Sequence, residues 1–137
     1  MAYTSVTSKI QTIIDKLKLE TVLSDYKFYI GRPFWISDKK TIDINYFPNI
    51  IFLNTTYIND TSLNVYTGKI LTTLLLSEHS EEDNIFSSIE TNKLSKVLDI
   101  INSTFDDVKV NLLTFDDSVQ GLYTIALDLE IVFEYKN

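Results

Sequence analysis

The sequence has 137 residues, of which 45% are hydrophobic and 23% charged, and these values predict a single globular domain spanning residues 1–137. It contains no cysteine, which excludes a disulfide framework, a thiolate zinc site and a thiol nucleophile. The formal net charge is −7 and Arg32 is the only arginine. Sequence-specific DNA binding is not expected, because it requires clustered cations. The apolar runs are too short to span a bilayer, so no membrane partner is expected either.

The first half of the chain predicts one helix followed by strands. Apolar residues at helical spacing predict an N-terminal helix with one buried stripe: Val6, Ile10, Ile13, Ile14 and Leu17. Segment 26–30 predicts a short aromatic strand that Gly31 ends, and residues 34–36 predict a further extended segment. Segment 47–53 predicts a buried strand, and the polar residues 54–62 predict a loop.

The second half predicts a long strand, a second helix and a hairpin. Segment 63–77 predicts a strand with Gly68 as a bulge or bend, and the acidic segment 77–88 predicts an irregular connection. A second apolar stripe predicts a helix from Leu94 to Phe105. The hairpin turns at Asp116-Asp117-Ser118. Its last strand alternates apolar and polar residues from Tyr123 to Tyr135, which makes it unusually long.

Together these elements predict an α+β fold in the order α-β-(β)-β-β-α-β-β. We expect a mostly antiparallel sheet with a long C-terminal hairpin and both helices packed on one face.

Residues that could support catalysis are few. His79, the only histidine, lies in the acidic loop and could serve as a general base or a metal ligand, but no second histidine or cysteine accompanies it. Asp106-Asp107 and Asp116-Asp117 are better explained as turn residues than as a two-carboxylate site. The three glycines cannot form a phosphate-binding loop. No catalytic, cofactor-binding or metal-binding residue is therefore predicted, and the chain is not expected to be an enzyme.

The candidate interface residues lie in three segments. The sole arginine and the sole tryptophan are almost adjacent, at Arg32, Phe34 and Trp35. Such residues commonly anchor interfaces, although these aromatics could equally pack into the core. The other candidates are Tyr57, in the loop predicted over 54–62, and the carboxylates of the acidic loop, Glu81, Glu82 and Asp83.

Several segments carry a resemblance to a known family. The helix 10–17 is followed by the strand 47–52, which begins Phe-Pro-Asn. A long strand ending at 70–76 precedes an acidic loop and the helix 94–105. Residues 115–122 then lead into a long C-terminal strand. In order and length these segments resemble the small tail-terminator and tail-completion proteins of tailed bacteriophages, which join head to tail or cap a tail tube.

The resemblance implies a structural virion protein of the neck or tail, made in the cytoplasm of the host bacterium. It implies a homo-oligomeric ring, often of six copies, that contacts adjacent neck or tail-tube proteins. DNA would pass through the lumen without sequence-specific contacts. A ring requires two different patches that meet between neighbours, and long strands offer exposed edges for that purpose.

Two alternatives remain at the level of sequence. A net charge of −7 would suit a small acidic binding protein, such as an immunity protein or antitoxin, that masks a basic partner. A hydrolase that uses the acidic loop around His79 is the third hypothesis.

Overall fold

The computed structural model describes residues 8–31, 44–62, 65–82, 85–105, 107–119 and 121–136, with the backbone alone for 44, 59–62, 65–67 and 133–136. Helix α1 spans Ser8–Leu17, and a short 3-10 turn follows at Thr21–Leu23. The four apolar residues of the α1 stripe that fall within these ranges are buried, which confirms the predicted face: Ile10, Ile13, Ile14 and Leu17. The extended segment predicted over 34–36 lies outside the described residues.

Five strands form one sheet in the order β1-β2-β3-β5-β4. Their bounds are β1 Lys27–Ile30, β2 Asn49–Ser62, β3 Val65–His79, β4 Asp107–Asp116 and β5 Leu122–Lys136. Strand β1 runs parallel to β2, and every other neighbouring pair is antiparallel. The structure thus shows the expected α+β fold with a mostly antiparallel sheet and a long C-terminal hairpin.

The prediction of a loop over 54–62 is wrong, because β2 continues through Ser62. Thr55, Thr56, Tyr57 and Ile58 are β-branched or aromatic, and such side chains fit a pleated, half-exposed surface. Only Asn54 behaves as a turn residue, with a positive φ of 57°, a conformation that asparagine tolerates better than most residues.

The irregularity in the pairing of β2 with β3 is at Asn54 and not at Gly68. Gly68 pairs in register with Asn59 on one side and Phe133 on the other, so the predicted bulge there is wrong. Instead the β2–β3 register shifts between Leu53 and Thr56. The hydroxyl of Thr72 opposes this bulge, 2.9 Å from Thr55 Oγ1 and 3.2 Å from the Leu53 carbonyl oxygen.

The second helix, here called α2, is longer than predicted. It combines an α-helical turn at Phe86–Ile89, a π-helical turn at Glu90–Leu94 and an α-helix at Ser95–Thr104. Strand β3 also extends to His79. The connection predicted as irregular over 77–88 is therefore limited to the residues between His79 and Phe86.

One face of the sheet and the two helices enclose the core. Alternate residues of β5 point into it, as predicted: Tyr123, Ile125, Leu127, Leu129 and Ile131. Strand β3 contributes Ile70, Leu74 and Leu76. The helices also meet each other, since Lys16 Nζ donates a hydrogen bond to Thr104 Oγ1 at 3.1 Å.

Candidate functional site at an exposed sheet edge

Strand β4 forms one edge of the sheet and pairs only with β5 in the described part of the chain. Four of its ten residues are large apolar side chains that remain exposed: Val110 at 42%, Leu112 at 57%, Leu113 at 44% and Phe115 at 41%. Natural edge strands are usually protected by charge, proline, shortness or a covering element. The four residues of β4 from Leu112 to Phe115 include no charged residue.

The first turn of helix α2 contacts the C-terminal part of this edge. Phe86 makes edge-to-face contacts with Phe115, at 5.3 Å between ring centroids, and with Tyr123, at 5.2 Å. An open groove of about 240 Å³ remains there, lined by Phe86, Ser87, Glu90 and Phe115. The helix therefore covers β5 but leaves the neighbouring strand partly uncovered.

A bulge in β4 brings Val110, Leu113 and Phe115 to the same face of the strand. Val110 pairs with Leu129 and Leu112 with Asp128, so Asn111 is the extra residue. Leu113 and Phe115 share the helix side with the buried partners Leu127 and Ile125. The bulge places Leu112 on the opposite face, contrary to the simple alternation that the sequence suggests.

The turn after β4 is well ordered by local contacts. Asp116 Oδ1 accepts a hydrogen bond from the Ser118 amide at 2.8 Å, which confirms its role as a turn residue and lowers the pKa of its carboxyl group. Gly121 has a positive φ of 77° and its carbonyl accepts the Ser80 amide hydrogen at 2.9 Å. A Cβ at Gly121 would lie 3.4 Å from His79 Nε2 and from the Ser80 carbonyl oxygen, so this turn favours glycine.

Among the described residues, strand β1 pairs only with β2 and forms the opposite edge of the sheet. Its last residue, Ile30, is 49% exposed. The Lys27 ammonium donates a hydrogen bond to the Asn45 carbonyl oxygen, and Lys18 Nζ lies 6.0 Å from the centre of the Phe28 ring. This edge therefore combines exposed apolar surface with positive charge.

Glu78 organises a polar cluster on the covered face of the sheet. Its carboxylate accepts hydrogen bonds from the Tyr26 hydroxyl and from Lys93 Nζ, the latter at 2.5 Å. Lys93 lies in the π-helical turn and also approaches the Tyr26 ring, at 5.4 Å. Burial, and then the hydrogen bond to Glu78, raise the pKa of Tyr26 far above its usual range. The cluster connects β3 with α2 and the residue before β1, which is a structural role.

The interface residues predicted from sequence do not form one patch. Arg32, Phe34, Trp35 and Asp83 lie outside the described residues. Tyr57 is half-buried and packs against the core.

The two remaining candidates, Glu81 and Glu82, are exposed in the loop after β3. The Glu82 carbonyl accepts a hydrogen bond from the Tyr123 hydroxyl at 2.9 Å. This loop lies at the opposite end of β3 from Ile70, the residue that pairs with Tyr57, so these candidates do not come together.

Sequence reasoning missed the exposed surface of β4. The available signal was the apolar sequence Leu112-Leu113 followed by Phe115, which was interpreted only as part of a hairpin. His79 ends β3 with an exposed side chain. Within the described ranges, no three histidine, aspartate or glutamate side chains gather closely enough to hold a metal ion, and no helix is long and apolar enough to cross a membrane.

Comparison with known proteins gives no relative from which a function could be transferred. No protein-family model matches the chain, and no curated protein matches it significantly.

Proposed function

We propose that this chain is a non-enzymatic structural subunit that assembles with copies of itself through the edges of its sheet. The exposed apolar edge of β4 is the observation that carries the proposal. Following the resemblance described above, the proposed assembly is a ring in the neck or tail of a tailed bacteriophage. It would terminate the tail tube or join head to tail, in contact with adjacent virion proteins.

The apolar side chains of β4 are costly to leave exposed to water. Exposed apolar side chains on a long edge strand favour pairing with another strand, because that adds backbone hydrogen bonds and removes apolar surface from water. Here Leu112, Leu113 and Phe115 present both faces of β4 to such a partner. A strand supplied by another copy would satisfy both requirements.

The distribution of charge supports a lumen through which DNA passes. Exposed carboxylates gather at the end of the sheet where β3 and β4 finish, at Glu81, Glu82 and Asp117. Phosphate groups are repelled by such a surface, so DNA would not adhere to it. A ring in which this end borders the central opening would therefore let DNA slide.

Native mass spectrometry and negative-stain electron microscopy test the proposal. We expect the wild-type chain to form a closed oligomer with a central opening, and Leu113→Lys to shift it toward monomer. Leu19→Lys is the matched control, since Leu19 is 85% exposed and lies outside the sheet. A wild-type chain that stays monomeric at high concentration, also with neck and tail-tube proteins present, would contradict the proposal.

The same acidic end favours a second candidate, a small binding protein that masks a basic partner. In that case the chain would be monomeric, and its affinity for a basic protein would fall steeply with salt. Replacing Glu81 and Glu82 with glutamine would weaken that binding, whereas Leu113→Lys would leave it unchanged.

A further inference from the structure

The register of the sheet aligns its two edges residue by residue. Each residue of β1 pairs with a residue of β2, and the pairing continues through β3 and β5 to one residue of β4. We call such a set of five paired residues a row. One row joins Phe28 to Phe115 through Ile50, Leu76 and Ile125. The row two residues along joins Ile30 to Leu113 through Phe52, Leu74 and Leu127. A third row joins Lys27 to Asp116 through Asn49, Ser77 and Thr124.

The ends of each row are chemically complementary. One row ends in two aromatic side chains, Phe28 and Phe115, on the helix side of the sheet. The next ends in two exposed aliphatic side chains, Ile30 and Leu113, on the same side. The third ends in opposite charges, Lys27 and Asp116. Aromatic, aliphatic and opposite-charge pairs are those that stabilise neighbouring antiparallel strands.

The strand directions also suit each other. Strand β1 is parallel to β2, and three successive antiparallel steps from β2 lead to β4. Strands β1 and β4 therefore run in opposite directions within one chain. When a second copy is placed beside the first in the same orientation, its β1 meets β4 as an antiparallel neighbour. The rows then continue from one copy into the next, and the helices of both copies lie on the same side.

We infer that β4 of one copy pairs with β1 of the next, so that Lys27 meets Asp116, Phe28 meets Phe115 and Ile30 meets Leu113. This inference rests on the proposed self-assembly and specifies its interface. The contact is head-to-tail, as a ring requires. The Lys27 ammonium keeps donors for Asp116 beside its bond to Asn45, because an ammonium group has three.

A second pair of opposite charges lies on the helix side of the same contact. Lys18 lies over the Phe28 ring, and Glu90 lines the groove beside Phe115. When Phe28 of one copy meets Phe115 of the next, these charges approach each other above the sheet. The groove next to Phe115 would then be covered by the neighbouring copy.

Pairing of β4 with β4 of a second copy is less favourable. Such a two-fold contact is antiparallel, and with full overlap it places Asp107 of each copy opposite Asp116 of the other. Two like-charge pairs then face each other, which destabilises the contact. It would also end at a dimer, in which β1 has no part in the contact.

A charge-exchange experiment tests this interface. We expect Lys27→Glu and Asp116→Lys, each alone, to weaken assembly at least about tenfold, because each replaces an attractive pair with a repulsive one. An equimolar mixture of the two variants would regain assembly. In the mixture, every contact brings opposite charges together. At one contact the introduced glutamate faces the introduced lysine. At the next contact the retained Asp116 faces the retained Lys27. Native mass spectrometry would show the two variants alternating in even-numbered oligomers.

Each outcome of this experiment bears on a distinct claim. A wild-type chain that never assembles contradicts the proposed function itself. A wild-type chain that assembles while Lys27→Glu assembles equally well, or while the mixture fails to recover, overturns only the β4–β1 interface. Circular dichroism of each variant verifies that its fold is intact.

Cysteine substitution gives a second test that does not depend on charge. The natural sequence has no cysteine, and opposed residues of paired strands lie at Cα separations that a disulfide can bridge. We expect Ile30→Cys combined with Leu113→Cys to give a ladder of covalent oligomers on oxidation. The two positions are four strand spacings apart within one chain, about 19 Å, so an internal disulfide cannot form. Each single cysteine variant is the control and should give no ladder. A wild-type chain that assembles while the double variant gives no ladder would overturn the inference.

Discussion

Strands β5 and β4 are neighbours with similar apolar content but opposite surroundings. In β5, Ile125, Leu127 and Leu129 lie between two strands and beneath the helices, and each is almost fully buried. In β4, Leu113 and Phe115 pair directly with Leu127 and Ile125 yet remain more than 40% exposed. Apolar side chains therefore stabilise the core in β5, whereas in β4 they are available for contact with another molecule.

The difference arises from how far the helices extend over the sheet. Helix α2 contacts β3 through Lys93 and the C-terminal part of β4 through Phe86. The two helices leave apolar side chains exposed at both edges of the sheet, most of them in β4. Exposed apolar residues at that edge add little to the stability of one chain and much to an interface.

The largest predicted effect compares two leucines in one row. Leu127→Ala should lower the free energy of unfolding by about 2 to 5 kcal/mol, because it leaves a cavity in the core. Leu113→Ala should lower it by less than about 1 kcal/mol when measured on dilute monomer, since the side chain is 44% exposed. Urea unfolding followed by circular dichroism measures both values. Equal losses would show that the edge and the centre of the sheet do not differ as described.

The second prediction compares two carboxylates. Glu78→Gln should lower the free energy of unfolding by about 1 to 3 kcal/mol, because it weakens the hydrogen bonds to Tyr26 and Lys93 on the covered face. Asp116→Asn should leave the stability of the monomer unchanged, because Asp116 is exposed and asparagine can still accept the Ser118 amide hydrogen. Thermal unfolding of both variants at low concentration checks this. A loss at Asp116 that matched the loss at Glu78 would contradict it.

The smallest predicted effect concerns alkaline pH. The pKa of Tyr26 is raised in the folded chain, so the folded state keeps a proton that the unfolded state releases near pH 10. The contribution of the neutral Tyr26 phenol to the free energy of unfolding is therefore fully present below about pH 10 and decreases as the pH rises above that value. Tyr26→Phe should therefore show a shallower decline between about pH 10 and 12, by up to about 1.4 kcal/mol per pH unit. Parallel slopes in urea titrations of the two proteins would exclude this contribution.

Most of the fold could be predicted because its periodic patterns are strong. The α1 stripe and the alternation in β5 each place one face in the core. The prediction failed where polar side chains occupy regular structure. Residues 54–62 contain asparagine, aspartate, serine and threonine, yet they form a strand because β3 supplies partners for their backbone groups. Such pairing depends on residues distant in sequence.

The candidate site was harder to predict than the fold. Whether Leu113 is buried depends on where α2 ends over the sheet, and local sequence does not specify this. The complementarity of Lys27 with Asp116 depends on a register carried across five strands. The acidic loop was evident from composition, but its position at the end of β3, away from Tyr57, required the structure.

The two bulges of the sheet have a consequence for how such a chain could evolve. In β2, the bulge at Asn54 lies opposite Thr72 of β3. In β4, the bulge at Asn111 directly follows Val110, which pairs with Leu129 of β5. Since Thr72 pairs with Leu129, the bulges lie on one line across the sheet, where both strands bend. Loss of the codons for Asn54 and Asn111 would restore regular pairing along that line. Small in-frame deletions or insertions could therefore change the curvature of each subunit, and with it the diameter of an assembly, without altering the core.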